Sequence, residues 1–394
     1  MLQSDLDPRA VIDFDIFNDP RFAKDLHDGL DQILQESPGV FFTERNGGHW
    51  VVTDPAAIDH VMKTPAVFSS RCMTIPNRPN QPHLIPVSLD PPEHLLYRRL
   101  LMTYFEHQAV GQLEPRVKYW ADELVNAARA KPRCEFVSAV SSRMPIYVFI
   151  ELVGLPMDRH EEFRALAHSY LALSGDPHQG EVLAAKIAGV LAEHIQRCTD
   201  HPGPDLISRL IAAEFDGRRL TFDELQSISF LLFIAGLDTV TNAMTFGIRH
   251  LARDHDLRRT LRARPDLIPQ AVEELLRRFA FVNVPRIVAQ DTTLNGVPMR
   301  AGDLVLVMLS TFGLDPAVTP APTEVDVTRQ RCTHAAFGVG GHLCLGRHLA
   351  RLELQALYET WLAEIPEFSI DPDYPAPKPR SGFAMSLPEL RLRW

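Results

Sequence analysis

Cysteine is scarce in this sequence, and nothing suggests that it is paired. The 394 residues hold five, at 72, 134, 198, 332 and 344, odd in number and never spaced Cys-x-x-Cys. That distribution excludes a disulfide framework and fits a reducing, cytosolic setting. No long basic block occurs and the formal net charge is −10, which argues against nucleic acid as a partner. Long hydrophobic runs are missing too: the most apolar, Ile228 to Gly236, is too short to span a bilayer. The opening Met1-Leu2-Gln3-Ser4-Asp5 is acidic and lacks the basic-then-apolar pattern of a leader, so neither signal peptide nor membrane anchor is expected. No repeat period emerges. What the chain does hold is 45% hydrophobic residues against 23% charged, enough for a large globular core, and its length alone allows two or three domains.

Chemistry concentrates at Phe337-Gly338-Val339-Gly340-Gly341-His342-Leu343-Cys344-Leu345-Gly346. The glycines permit sharp turns and the close approach of something flat. Cys344 falls where this loop runs into a helical pattern starting at Arg347. Free N–H groups and the positive dipole end of a helix lower a thiol pKa there and favour sulfur as ligand or nucleophile. Two other readings compete. Cys344 is an inert buried thiol, or Cys332, His334, His342, Cys344 and His348 form a zinc site. Neither accounts for the glycines and the phenylalanine at their spacing.

Phe337-x-x-Gly340-x-His342-x-Cys344-x-Gly346 resembles the haem-ligand signature of the cytochromes P450, the haem-thiolate monooxygenases. The resemblance implies haem b as cofactor, with Cys344 as the axial ligand to its iron and Phe337, Gly338, His342 and Gly346 around it. It also implies a fold that is mainly α with a minor β region. One haem domain then spans residues 1–394, the haem lying between a long central helix and the Cys loop.

That central helix is legible. Thr221-Phe222-Asp223-Glu224 is a capping box, and the helix it opens runs to about Arg253, apolar on most sides at first. Gly236, Asp238 and Thr239 sit in its middle, where a buried helix gains nothing from them. Ala235-Gly236-x-Asp238-Thr239 resembles the family's oxygen-activating segment. The resemblance implies a loosened turn, with Thr239 holding the reacting oxygen and a water and Asp238 relaying protons. The competing reading is that Thr239 merely bonds back to a carbonyl one turn earlier.

Other motifs follow the same order as in the family. Asp90-Pro91-Pro92-Glu93-His94 opens a helix on which His94 and Arg98 share a face; two donors there suit a carboxylate, and the family's equivalents hold a haem propionate. By the same comparison Arg286 is a second propionate partner and His342 a third. Glu274 and Arg277 match a Glu-x-x-Arg motif whose structural network Arg329 completes. A first helix is expected over Arg21 to Gln35, a hairpin around Asn46-Gly47-Gly48, a helix over Pro55 to Lys63, and another over Ile268 to Phe279. The break from Ser174 to Gln179 separates two helices that, by resemblance, form a lid.

The short motifs look most like the camphor-hydroxylating bacterial members. Here, however, Pro82 or His83 stands where those carry a substrate-binding tyrosine, and Val284 replaces a propionate-side aspartate. The implied pocket is Thr74, His83, Leu231, Ile234, Ala235, Val282, Phe383 and Ala384. It is aliphatic and compact, which suits a small terpenoid or ionone-like ketone. Arg329, Arg331, Arg347 and Arg351 flank the Cys loop as a basic patch on an acidic protein. The resemblance supplies the partner: a [2Fe-2S] ferredoxin, reduced from NADH by a flavoprotein. The expected activity is O2-dependent hydroxylation of a small hydrophobic substrate in the cytoplasm, with no membrane partner. The alternatives are a peroxide-using or isomerising haem-thiolate enzyme, and a haem-binding sensor without turnover.

Overall fold

The computed structural model describes residues 10–77, 84–171 and 177–394. Its elements begin with α1 (Leu26–Glu36), β1 (Val40–Thr43), β2 (His49–Val52), α2 (Pro55–Lys63), β3 (Phe68–Ser69) and α3 (Glu93–Phe105). Next come α4 (His107–Gly111), α5 (Glu114–Arg129), β4 (Arg133–Glu135), α6 (Met144–Val153), α7 (His160–Leu171), α8 (Pro177–Asp200) and α9 (Leu206–Ala212). The long α10 (Phe222–Arg253) precedes α11 (His255–Ala263) and α12 (Ile268–Arg278). Strands β5 (Val284–Val288), β6 (Thr292–Leu294), β7 (Val297–Met299) and β8 (Leu304–Val307) follow, then α13 (Arg347–Glu364), β9 (Ser369–Ile370) and β10 (Arg391–Arg393). The fold is therefore mainly helical with minor sheets.

Local chemistry explains the boundaries. The first helix starts at Leu26, later than the sequence suggests, because Asp25 accepts from the N–H groups of His27 and Asp28 and fixes the N-cap there. Asp54 caps α2 in the same way, with Pro55 in the first turn. Thr221 and Glu224 form both halves of a capping box for α10, and Asp254 ends α10 while capping α11.

Helix α10 is the spine. It packs against α6, α7, α8, α12 and α13, and its buried face includes Ile228, Phe233, Leu237, Val240, Met244 and Ile248. By length and composition α10 would also pass for a membrane span, although no nine-residue run in it would. Its enclosure by other helices accounts for that apolarity. The five-stranded sheet has the order β1-β2-β8-β5-β3. All its pairings are antiparallel except β2 with β8, where Trp50, Val51 and Val52 pair with Val305, Leu306 and Val307. This sheet carries Arg286 on β5, while α10 and the loop before α13 carry the other chemistry.

Candidate active site

The loop before α13 is built by its glycines. Gly338 and Gly340 both have φ of +72°, a conformation that side chains resist. A Cβ on Gly340 would lie 2.6 Å from the carbonyl oxygen of Met62, so the loop seats directly on α2. The turn is closed by the N–H of Cys344 donating to the carbonyl of Phe337 at 2.7 Å. Behind it, Arg351 makes two bonds to Glu273, at 2.6 and 2.9 Å, and lies over the Phe337 ring. His334 adds a third contact to the same carboxylate at 3.2 Å. Burial raises the Glu273 pKa, but Arg351 and His334 outweigh it and hold the carboxyl at about 2. Cys344 is half-buried. Burial pushes its thiol up, against the opposing pull of the Gly346 N–H and of Arg98, Arg347 and Arg351. In the protein without a bound group, desolvation outweighs these neighbours, against the lowered thiol expected from the sequence.

A second group faces this loop from α3, β5 and the segment after β3. His94 is fully buried and neither ring nitrogen has a hydrogen-bond partner. Its ring centroid lies 4.0 Å from that of His342, whose Nε2 is 3.0 Å from Ser70 Oγ. Asp90 fixes Ser70 by accepting from its N–H at 2.8 Å, and accepts from the Ser69 hydroxyl at 2.5 Å. Arg98 donates to the carbonyl of Leu343, and Arg286 donates to that of Pro285 at 2.7 Å. Among the described residues neither arginine makes an ion pair. Burial depresses the cationic form of all four groups: His94 falls to about 4, His342 to about 3, Arg286 to about 10, and Arg98 moves the same way. Asp90 acts on His94 and Arg286 only from a distance, its oxygens being engaged by Ser69 and Ser70, and so many buried donors are costly unless a further anion completes them.

The third part is the middle of α10. Phe233 and Leu237 are buried, but Ala235 between them is exposed, so this turn borders open space. Thr239 donates to the Ala235 carbonyl at 2.9 Å. The helix is continuous from Phe222 to Arg253, and the threonine hydroxyl bonds back one turn. Its donor spent, the Thr239 oxygen offers lone pairs only. Asp238 is held by the side-chain amide of Asn242, whose Nδ2 donates to Oδ2 at 3.0 Å.

The comparisons with known proteins point one way. The family model described as Cytochrome P450 matches residues 178–393. The probable cytochrome P450 127A1 of Sinorhizobium fredii is 30% identical over 98% of this chain and 95% of its own. This chain belongs to the cytochrome P450 family. A steroid C26-monooxygenase of Mycolicibacterium smegmatis is 31% identical over 88% of each chain. The crystal structure of CYP101C1 matches with a TM-score of 0.92 and 32% identity, covering all of both chains. The protein is accordingly a cytochrome P450 monooxygenase, and haem b is its cofactor.

The residues of this P450 fit that group. A thiol stands at the helix entrance, His94 is orphaned against His342 of the same loop, and the guanidiniums of buried Arg286 and half-buried Arg98, neither in an ion pair among the described residues, suit the carboxylates of a propionate pair. The zinc alternative finds no support. Among the described residues the one group of metal-ligating side chains within reach of one another is His194, Cys198 and Asp205, none of them in the Cys loop. Those three are satisfied without a metal: His194 bonds the Val153 carbonyl and Arg197, Cys198 donates to Asp205, and Asp205 takes the Ser208 N–H and hydroxyl.

Glu274 and Arg277 are both fully buried and pair at 3.0 Å, with Arg329 on the same carboxylate at 3.1 Å. Of the lining residues, Val282 bridges to Ala384 and Asn283 donates to the Phe383 carbonyl, which brings those three together. Leu231, Ile234 and Thr74 are half-buried, with the Thr74 hydroxyl on the Pro76 carbonyl. His83 and Pro82 lie outside the described residues, as do residues 174–176 of the break, while α8 begins at Pro177. The basic patch shrinks: Arg329 and Arg351 are spent on Glu274 and Glu273, leaving exposed Arg331 and half-buried Arg347 without an ion pair among the described residues. Sequence reasoning missed Asn242, Ser70 and the Glu273–His334–Arg351 support. Only Asp90, inside a recognised motif, hinted at any of them.

Proposed function

We propose that this P450 is a single haem domain that inserts one atom of O2 into a C–H bond of a small terpenoid or norisoprenoid-like substrate. Electrons come from NADH through a [2Fe-2S] ferredoxin and its flavin-dependent reductase, in the cytoplasm. The observation that carries the reading is the convergence of the orphaned His94 and of Arg98 and Arg286, neither in an ion pair among the described residues, on the loop that holds His342 and Cys344. Cys344 would bind the haem iron through its sulfur, with Phe337, Gly338 and Gly346 shaping its loop. His94, Arg98, Arg286 and His342 would hold the propionates, and Glu274, Arg277 and Arg329 brace the segment leading to the loop.

When bound, the haem supplies the iron at which O2 is reduced and its bond cleaved. The overall change consumes RH, O2, two electrons and two protons and yields ROH and water. Protons must therefore be delivered in step. Thr239, with lone pairs only on offer, accepts hydrogen bonds from a water or a protonated oxygen, and the Asp238 carboxylate passes protons inward. A peroxide-using or isomerising enzyme, or a sensor, needs no such relay.

The small substrate is supported by the aliphatic lining of Leu231, Ile234, Ala235, Val282, Phe383 and Ala384, with Thr74 and His83 as the polar candidates. The test is the absorption spectrum of the purified protein, reduced with dithionite and exposed to carbon monoxide, followed by titration with terpenoid ketones and with a sterol. A long-wavelength Soret band and a high-spin shift with the ketones are expected. A band at the histidine-ligated position overturns the Cys344 assignment, and a shift with the sterol alone overturns the substrate class.

A further inference from the structure

His194, Cys198 and Asp205 lie far from the Cys loop in sequence, and the hydrogen bonds that satisfy them also arrange them as a ligand set. His194 and Cys198 are buried one turn apart on α8, and Asp205 stands just before α9. The three offer a ring nitrogen, a sulfur and a carboxylate oxygen, all within 4.8 Å of one another. Cys198 Sγ is 3.7 Å from Asp205 Oδ1, and 3.6 and 3.9 Å from the two ring nitrogens of His194. A tetrahedral zinc ion holds neighbouring ligands of these types about 3.3–3.8 Å apart. Small adjustments therefore bring the three atoms around one ion.

The partners decide which histidine nitrogen is free to bind. A carbonyl can only accept, so the Val153 oxygen, 2.7 Å from Nε2, puts the ring proton on Nε2. Nδ1 keeps its lone pair, and the Arg197 guanidinium donates to it at 3.0 Å. Metal-bound histidines share this pattern, one nitrogen to the metal and the other donating to a backbone carbonyl. Asp205 is braced in the same manner, by the Ser208 N–H at 2.8 Å and the Ser208 hydroxyl at 2.7 Å. A Cβ on Gly203 would lie 2.7 Å from Asp205 Oδ2, so glycine leaves that flank of the carboxylate open.

We propose that His194 Nδ1, Cys198 Sγ and a carboxylate oxygen of Asp205 bind zinc, or another thiophilic divalent cation, which staples the end of α8 to the start of α9. Arg197 is the group the ion displaces from Nδ1; it is exposed, so its side chain turns out to water. The thiol gives its proton to solvent as the zinc–sulfur bond forms. Thiolate and carboxylate then cancel the two charges of the ion, and no net charge is buried. Imidazole, thiolate and carboxylate in one set select zinc over magnesium or calcium, which prefer oxygen alone. Residues 201–204 beside the set are exposed, and water takes the fourth position from that side.

The experiment dialyses haem-loaded wild type, Cys198→Ser, Ser208→Ala and Arg197→Ala against zinc chloride, with magnesium chloride as the control. Bound metal per chain, the zinc K-edge X-ray absorption spectrum and the unfolding midpoint are recorded for each. Wild type is expected to retain zinc with a sulfur neighbour at about 2.3 Å. Zinc, and not magnesium, should raise its unfolding midpoint. Ser208→Ala should weaken binding by about tenfold or more. Cys198→Ser should weaken it further and lose the sulfur neighbour. Arg197→Ala should bind zinc several-fold more tightly, because the donor competing for Nδ1 is gone.

Zinc retained equally by Cys198→Ser, or bound without a sulfur neighbour, would point to surface histidines and overturn the site. Wild type that retains no zinc overturns it as well, as does unchanged or weaker binding in Arg197→Ala. Should Cys198→Ser fail to fold, the sulfur neighbour in wild type and the gain in Arg197→Ala still decide the matter.

Discussion

At the scale of single residues, the most informative side chain outside the site is Glu353. It is buried on α13, its Oε2 has no partner, and burial alone lifts its pKa from 4.5 to about 8. The native protein therefore holds a proton there that the unfolded chain has released between those two values. Stability contributed at this position is greatest below the unfolded pKa and declines as pH rises towards the folded one. Glu353→Gln should remove that decline. The stability gap between variant and wild type should move in the variant's favour by about 1.4 kcal/mol per pH unit from roughly pH 5 to pH 8, as read by denaturant unfolding; parallel pH curves would show that Glu353 is not protonated. Nothing in the sequence announced this residue, because a glutamate in a helix ordinarily faces water and burial depends on which neighbours arrive. Cys344 was legible for the opposite reason: its environment is local, set by glycines within the same loop. Its pKa direction was not, since desolvation comes from the whole surrounding protein.

At the scale of elements, α10 was readable because capping box, apolar pattern and terminal cap all agree along one stretch. The back-bonded turn at Thr239 was not, as helix continuity there rests on a hydrogen bond that either reading allows. Helix α12 shows how pairing can be half-legible. Glu274 and Arg277 share a helix face and were visible. The carbonyls of Gly313, Pro322 and Glu324 that Arg277 also bonds were not, since they come from a distant loop. Cutting that network strands a buried charge. Arg277→Leu should cost about 3–5 kcal/mol of unfolding free energy and reduce haem retention, measured by denaturant titration and by haem-to-protein absorbance ratio. Full stability and full haem content would mean that the loop from Gly313 to Glu324 is held by other contacts.

At the scale of the whole molecule, a net charge of −10 would repel the acidic donor proposed above, and a basic patch beside the Cys loop would offset that locally. Four arginines close in sequence suggested a strong patch; two are internally paired, so the attraction rests on Arg331 and Arg347. Arg331→Glu should slow reduction by a [2Fe-2S] ferredoxin several-fold at low ionic strength. The difference should vanish at about 1 M salt, where the screening length is about 3 Å, as followed by stopped flow; an unchanged rate at low salt would place the donor elsewhere. The pairing of β2 with β8 carries a different consequence. Trp50 and Val305 are neighbours in the sheet but stand at opposite ends of the chain. During synthesis the hairpin of β1 and β2 emerges early and must wait, one edge open, until Leu304–Val307 leaves the ribosome. The helices between them can pack first; the sheet closes late, and a chain cut short before β8 is left with an unpaired strand edge that invites other chains.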